Sequence, residues 1–533
     1  MKRTVIKLAL GFAYFIGAGT MAAVPHATLQ TGIDQLFSAW NANTPGCVVG
    51  VAQAGQQPLI RAYGMANLEF AVPNSADTVL EAGSVSKQFT AAAIALLAQD
   101  GKLSLDDNVR KYLPELPDYG RPVTLRHMLN HTSGMRDWGG VATLNGWGRG
   151  SRIFTQEQVL EIAARQRHLN FDPGTAISYS NTGYNLAAIV VERVSGKSFQ
   201  AFTQERLFEP LGMSKTRWRD DHGAVVRNRA TAYAKAGDSY RAHMPFENAV
   251  GGGGLLTTIA DLLTWNAHLD RPSPAFQNMV AVIQQPGRFN DGRATRYGMG
   301  LFNQTIQGVP MVYHNGVTAG YRSVLNRYPT QKLSVAVLCN APDANPVSLG
   351  AKIADLLVPA VPRAAGVTLD PAELARRVGQ YRNGSGRLLR VENKNGAMTM
   401  MGTNFQATGV STAEDMSGRS ARFDADGSVF ITDDMGNTQA YRKRLVAPAQ
   451  AIPADLAGTY VSEEANAAWT IQVKAGKVFV NVRSDLVLPL EWVYEDAWEA
   501  NGTILFLKRD KAGSITGLSA SSARVWDLAF VKR

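Results

Sequence analysis

Cysteine is scarce. Only Cys47 and Cys339 occur among 533 residues, which excludes a disulfide-built scaffold and a cysteine-rich metal site. Charge is sparse as well, 18% Asp, Glu, Lys and Arg against 45% apolar residues, so the chain lacks the composition of a disordered segment and can bury several cores. The formal balance is +10, yet no run of five or six basic residues concentrates it. That argues for a solvated surface and against a nucleic-acid partner. Beyond the N-terminus, no apolar run approaches the roughly 20 residues that a membrane-spanning helix needs.

What is present begins with an address. Lys2 and Arg3 precede the apolar run 8–19, and small residues follow to Ala23, the order of charge, apolar core and cleavage site found in secretory signals. Residues 1–24 are therefore expected to be a signal peptide, the mature protein to be periplasmic or secreted, and no membrane contact is expected beyond that export signal. An uncleaved N-terminal anchor is the alternative.

The order of elements predicts how the chain up to about residue 360 folds. An amphipathic helix is expected over 28–42, strands over 47–53 and 58–67, and a helix over 87–98 that stops at Asp100-Gly101. A helical, loop-rich section then runs to about residue 269, with strands returning at 311–314, 321–328 and 333–340 and a helix at 348–357. Strands, then helices, then strands describe a sheet assembled from both ends of the segment, with a helical insertion and a cleft between the lobes. Cys47 starts the first strand and Cys339 ends the last, so antiparallel pairing would make them neighbours. A bridge and two separate buried thiols are both open.

Composition changes after residue 358. A Pro/Ala linker is expected over 361–371, followed by short alternating strands broken at Asn395-Gly396, Asp426-Gly427, Ala475-Gly476 and similar pairs. This part repeats itself, since the segment from Pro371 to Tyr381 resembles that from Pro453 to Tyr460. Two closed antiparallel barrels, 372–448 and 449–533, fit the length, with closure removing exposed strand edges. A single open sandwich is the alternative.

Three motifs carry chemistry. Ser84-x-x-Lys87 places an amine one helical turn from a hydroxyl at a helix start, and a serine needs such a neighbour to take its proton. On its own this is weak, because a chain of this length contains on the order of one such pattern by composition. Tyr179-x-Asn181 lies in a loop before a helix, and His314-Asn-Gly316 lies on the strand that would edge the cleft.

In that order, Ser84-x-x-Lys87, Tyr179-x-Asn181 and His314-x-Gly316 resemble the three active-site motifs of the penicillin-recognising serine hydrolases. These comprise class C β-lactamases, D-Ala-D-Ala carboxypeptidases, esterases and D-stereospecific aminopeptidases. The supporting segments 130–134, 251–261 and 297–300 are similar as well. Among these, the D-aminopeptidases share the two trailing barrels and a third motif beginning with His. The resemblance implies an α/β (α+β) β-lactamase-like catalytic domain with a helical lobe over 25–360, followed by two lipocalin-like barrels. It implies that Ser84 attacks the carbonyl, that Lys87 and a Tyr179 phenolate stabilised by the ammonium take the proton, and that Tyr179 hands it to the leaving group. Asn181 would hold the substrate amide or Lys87, and the backbone N–H groups of Ser84 and Val317, beside Gly316, would hold the oxyanion. No metal or cofactor is required.

Substrate is the open part. Many members carry Lys in the third motif, where His314 is largely neutral at pH 7. That weakens anchoring of a free carboxylate and favours aminopeptidase, amidase or esterase activity on small peptides, amides or esters, peptidoglycan fragments among them. The resemblance also implies that a loop of the last barrel reaches the cleft. The stretch 484–492 is the expected loop, with Asp485 as partner for a substrate ammonium. His131 is read as loop packing, and Trp138, Phe171 and Tyr313 as cleft wall or core. A protein of another class, acylated without turnover and binding penicillin or cell wall, is the alternative.

Overall fold

The computed structural model describes residues 25–306, 308–358, 366–384, 386–415, 417–444 and 451–533. The expected signal segment 1–24 and residues 361–365 of the expected linker lie outside them. At the far end of that linker, Pro371 supplies the first residue of a short helix, Pro371–Arg377, a position where its missing N–H costs nothing.

Six antiparallel strands make the central sheet: β1 (Cys47–Gln53), β2 (Leu59–Tyr63), β3 (Phe302–Ile306), β4 (Val309–Thr318), β5 (Tyr321–Tyr328) and β6 (Leu333–Cys339). They run in the order β3-β4-β5-β6-β1-β2. The two chain ends meet at β6 and β1, as the pattern of elements implied. β3 was not anticipated, because five residues with two apolar ends give no clear alternation.

The strands are covered on both faces. Val48, Leu325, Ala336 and Leu338 join the core beneath helix Ile259–Asp270. Val49, Val51, Val335 and Val337 join another with helices His26–Leu36 and Pro346–Asp355. This is why β6 is apolar at every position but Ser334 and every residue in it is buried. Gly50 has no Cβ because one would meet Ile259 Cγ2 at 2.2 Å. Cys47 and Cys339 stand directly opposite across β1 and β6 and are joined as a disulfide.

Helix Lys87–Gln99 occupies the middle of the helical lobe and is buried from Lys87 to Leu97. Its alanines let helix Asn181–Ser195 and helix Gln277–Gln284 pack against it. Gly101, with φ +70°, follows its end, which suits glycine.

The C-terminal part forms two closed eight-stranded antiparallel barrels, spanning 379–444 and 458–532. The internal repeat has a structural counterpart. The Tyr381 hydroxyl donates to the Arg377 carbonyl at 2.7 Å, and the Tyr460 hydroxyl donates to the Leu456 carbonyl at 2.7 Å. Each ring also faces a lysine from the last strand of its own barrel, Lys443 or Lys532.

Both barrels hold the catalytic unit. Arg296 donates to the Met435 and Gly418 carbonyls of the first. The second docks through a buried ion pair, Arg136 to Glu464 at 3.0 Å, and through Trp469, whose indole donates to the Leu144 carbonyl at 2.8 Å.

Candidate active site

Ser84 sits in a tight turn, Gly83–Ser86, that leads into helix Lys87–Gln99. Two features fix the turn. The Ser86 hydroxyl donates to the Gly83 carbonyl at 2.5 Å and accepts from Leu255 N at 3.1 Å. Gly83 has φ +52°, and a Cβ there would lie 2.8 Å from Val317 N; one on Gly316 would lie 2.8 Å from Ser84 N. Both positions need glycine for close approach, and the result brings the Ser84 and Val317 amides side by side.

Lys87 is wholly buried. Its Nζ lies 3.2 Å from Ser84 Oγ, 2.8 Å from Asn181 Oδ1 and 2.5 Å from the Gly252 carbonyl. Burial, then the positive charges of Arg524 and Arg149, push its pKa well below that of an ordinary lysine. A neutral amine fits these three neighbours: it donates to the two carbonyl oxygens and keeps its lone pair for the Ser84 proton. The glycine run 251–254 thus passes directly behind the site, and Gly251 accepts from Thr90 as well.

Tyr179 stands over the same amine, with Nζ 4.8 Å from its ring centroid. Burial raises its hydroxyl to about 12, against a lowering hydrogen bond from Ser84. The phenol is therefore protonated at neutral pH, the reverse of the phenolate–ammonium pair expected from the motif, because desolvation disfavours both charged forms.

Asn181 does not cap its helix. Ser180 holds the cap position, and the Asn181 side chain turns inward, its amide donating to Asp137 Oδ2 at 2.9 Å while its oxygen holds Lys87. Asp137 Oδ2 also accepts Asn181 N at 2.7 Å. This carboxylate, absent from the motifs, orients the residue that orients Lys87.

His314 lies beside the site but is only 1% exposed. Nδ1 is 2.6 Å from the Asn315 carbonyl, which can only accept, so Nδ1 carries the proton and Nε2 accepts from the Tyr297 hydroxyl at 3.0 Å. With both nitrogens engaged and its pKa pushed down to about 3 by burial and Lys87, the imidazole, a substrate-binding residue by the third motif, stands here as a neutral wall of the site. His131 has more to do than pack a loop. Its ring contacts Tyr179 at 4.3 Å between centroids, and its Nδ1 accepts Ser180 N at 3.2 Å. Trp138 is buried, donating to Asn185 at 3.0 Å. Tyr313 is buried too, and Phe171 packs on Trp526.

The last barrel reaches the site, though not through Asp485. Asp485 is 70% exposed and paired with Arg483 at 3.0 Å; that arginine lies over the Trp147 ring. The loop between strands Ile515–Ser521 and Leu528–Lys532 arrives instead, placing Arg524 4.7 Å from the Tyr179 ring centroid. The short loop 522–527, half apolar and half polar, carries no pattern that announces this.

A serine hydroxyl held between a buried amine and a phenol, beside paired backbone amides, defines an acyl-transferring serine hydrolase. The chain belongs to the β-lactamase family, whose model matches residues 33–360. It is similar to a D-aminopeptidase of Cereibacter sphaeroides, 27% identical over 507 residues, which cover 89% of this chain and 93% of that protein. It is also similar to a D-aminopeptidase of Brucella anthropi, 29% identical over 56% of this chain and 57% of the relative. Among solved structures, a D-stereospecific amidohydrolase from Streptomyces sp. aligns with TM-score 0.52 and 25% identity, over 63% of this chain and 99% of its own. The octameric penicillin-binding protein homologue from Pyrococcus abyssi shares the fold, with TM-score 0.57 and 22% identity, over 79% and 100%.

Proposed function

We propose that the chain hydrolyses amides and short peptides of D-amino acids through an acyl-enzyme on Ser84. The observation that carries this is the contact of Lys87 Nζ with Ser84 Oγ at 3.2 Å, under a protonated Tyr179. The proposal takes its substrate class from relatives named D-aminopeptidase that match across most of the chain.

In the reaction, neutral Lys87 accepts the Ser84 proton as Oγ bonds to the carbonyl carbon. The oxygen takes the negative charge and lies against the Ser84 and Val317 amides, where one such donor is typically worth ~10²–10³ in rate. Tyr179 gives its proton to the leaving nitrogen, the C–N bond breaks, and Lys87 returns a proton to the phenolate. Water then attacks the ester by the same route in reverse, with the amine–phenol pair taking its proton. Asn181 and Asp137 keep Nζ aimed at Oγ throughout. His314 and His131 hold the Tyr179 side of the pocket as neutral rings.

The test is turnover by wild type and Ser84→Ala of D- and L-alanine p-nitroanilides, a D-Ala-D-Ala peptide, a chromogenic cephalosporin and a p-nitrophenyl ester. Release of p-nitroaniline from the D form, lost in Ser84→Ala, supports the proposal. Ester cleavage alone, or acylation without turnover, refutes it. We also propose an exported protein working on small D-residue fragments such as those of peptidoglycan, on the strength of the Lys2, Arg3 and 8–19 pattern; a mature N-terminus still beginning at Met1 in the cytoplasmic fraction would refute export.

A further inference from the structure

We propose that Arg524 anchors a carboxylate on the leaving portion of the substrate. The chain would then prefer D-aminoacyl compounds whose leaving group is itself a free amino acid over those with a neutral leaving group. This rests on the Ser84 hydrolase reading above and names its substrate class more closely.

The guanidinium stands beside the group that protonates the leaving nitrogen, 4.7 Å from the Tyr179 ring centroid. In a leaving α-amino acid the carboxylate is two bonds from that nitrogen, so a cation at the edge of Tyr179 lies where such a carboxylate must go. The other cations of the site are already engaged. Lys87 is occupied by Ser84, Asn181 and Gly252, and Arg149 is paired with Glu247. Arg524 is not. Its side chain is 45% exposed, and its one carboxylate neighbour among the described residues, Asp137 Oδ2 at 4.0 Å, already accepts two N–H groups from Asn181. Among the described residues the guanidinium donates no hydrogen bond.

Position is built into the fold. The Arg524 carbonyl accepts from Asp137 N at 3.3 Å and from Asn170 Nδ2 at 3.1 Å. Trp526 N donates to Asn170 Oδ1 at 2.8 Å, and Arg136 donates to the Trp526 carbonyl at 3.2 Å. Val525 is fully buried against Gly140, where a Cβ would meet it at 2.7 Å. A loop pinned on both sides of Arg524, with its charge left open to the cleft, is preorganised for an anion. His314 offers no charge for that task, and the barrel delivers a cation where an acidic residue, Asp485, was expected.

The experiment compares kcat/KM for D-alanylglycine and D-alanylglycinamide, which differ only in the charge, for wild type, Arg524→Ala and Arg524→Lys. Wild type is expected to favour the free carboxylate. In Arg524→Ala that preference should fall about 10- to 100-fold, chiefly through KM, as for a lost hydrogen bond to a charged group. Arg524→Lys should retain most of it. Loss of a merely structural contact would lower both substrates together, and that result, or an unchanged ratio, overturns the proposal. A wild type that turns over neither dipeptide nor D-alanine p-nitroanilide overturns the hydrolase reading as well; activity on these with an unaltered ratio in Arg524→Ala overturns the anchor alone.

Discussion

The protonation state of Lys87 decides which way activity moves with pH. As an ammonium, Nζ would spend all three hydrogens on Ser84 Oγ, Asn181 Oδ1 and Gly252 O, leaving no site for the serine proton. Tyr179, raised to about 12, offers no phenolate to take it either. As a neutral amine, Lys87 has the lone pair the reaction needs. The consequence is that kcat/KM for a D-alanine anilide rises about tenfold per pH unit below the depressed Lys87 pKa, levels off above it, and is not lost on the alkaline side until near the Tyr179 value. His314 contributes no limb, because its charge change lies near about 3. The assay is a pH–rate profile corrected for stability by preincubation at each pH. A second profile for Tyr179→Phe should keep the acidic limb while kcat falls roughly 10²- to 10⁴-fold, the usual worth of a positioned proton donor. A profile in which activity falls as pH rises through the lysine pKa would refute the reasoning, because it would require the ammonium–phenolate pair.

Stability should fall in acid. His314 is held neutral with a pKa of about 3 when folded, whereas an unfolded histidine titrates near 6.5, so below about pH 6.5 the unfolded chain binds more protons and folding weakens as pH falls. At pH 5 this amounts to about 2 kcal/mol, and His314→Gln should flatten the pH dependence of Tm between about pH 7 and 5; equal slopes in both proteins would refute it. Reducing the Cys47–Cys339 bridge, which closes a separation of 292 residues, should lower stability by up to about 5 kcal/mol on the chain-entropy argument. Cys47→Ala in place of reductant should match it in a thermal melt, and a melt indifferent to reductant would count against the bridge. Glu464→Ala leaves Arg136 buried without its partner and should cost about 3–5 kcal/mol. It should also loosen the loop that carries Arg524, read as faster amide exchange at residues 524–526; unchanged exchange there would separate docking from the ion pair.

Periodicity and spacing settled a good deal in advance. Helix Lys87–Gln99 is legible because its alanines and leucines admit no other local structure and Gly101 ends it. β6 is legible because a short, valine-rich run that is apolar at all positions but Ser334 suits a strand covered on both faces. The repeat of Pro-Ala-Glu/Asp-Leu-Ala before Tyr381 and Tyr460 marks two like barrels, since each tyrosine meets the same backbone carbonyl four residues back. The expected first helix over 28–42 proved shorter, His26–Leu36, as local propensity does not report where the chain must turn to meet the sheet.

Ser84, Lys87, Tyr179 and Asn181 could be picked from the chain because three motifs, each weak alone, stand in the order that resembles the penicillin-recognising serine hydrolases. Their charges could not, because a pKa depends on how much water surrounds a group, and only packing removes the water from Lys87, Tyr179 and His314. The same limit applies to Asp137, which acts through Asn181 from 44 positions earlier, and to His131, which acts by touching Tyr179. It applies most to the choice between Asp485 and Arg524: both lie in loops of the same barrel, and which loop faces the cleft is decided by how that barrel docks on Arg136 and Asn170. Sequence named the parts that react, while contacts between distant segments fixed their protonation and the sign of the charge that meets the substrate.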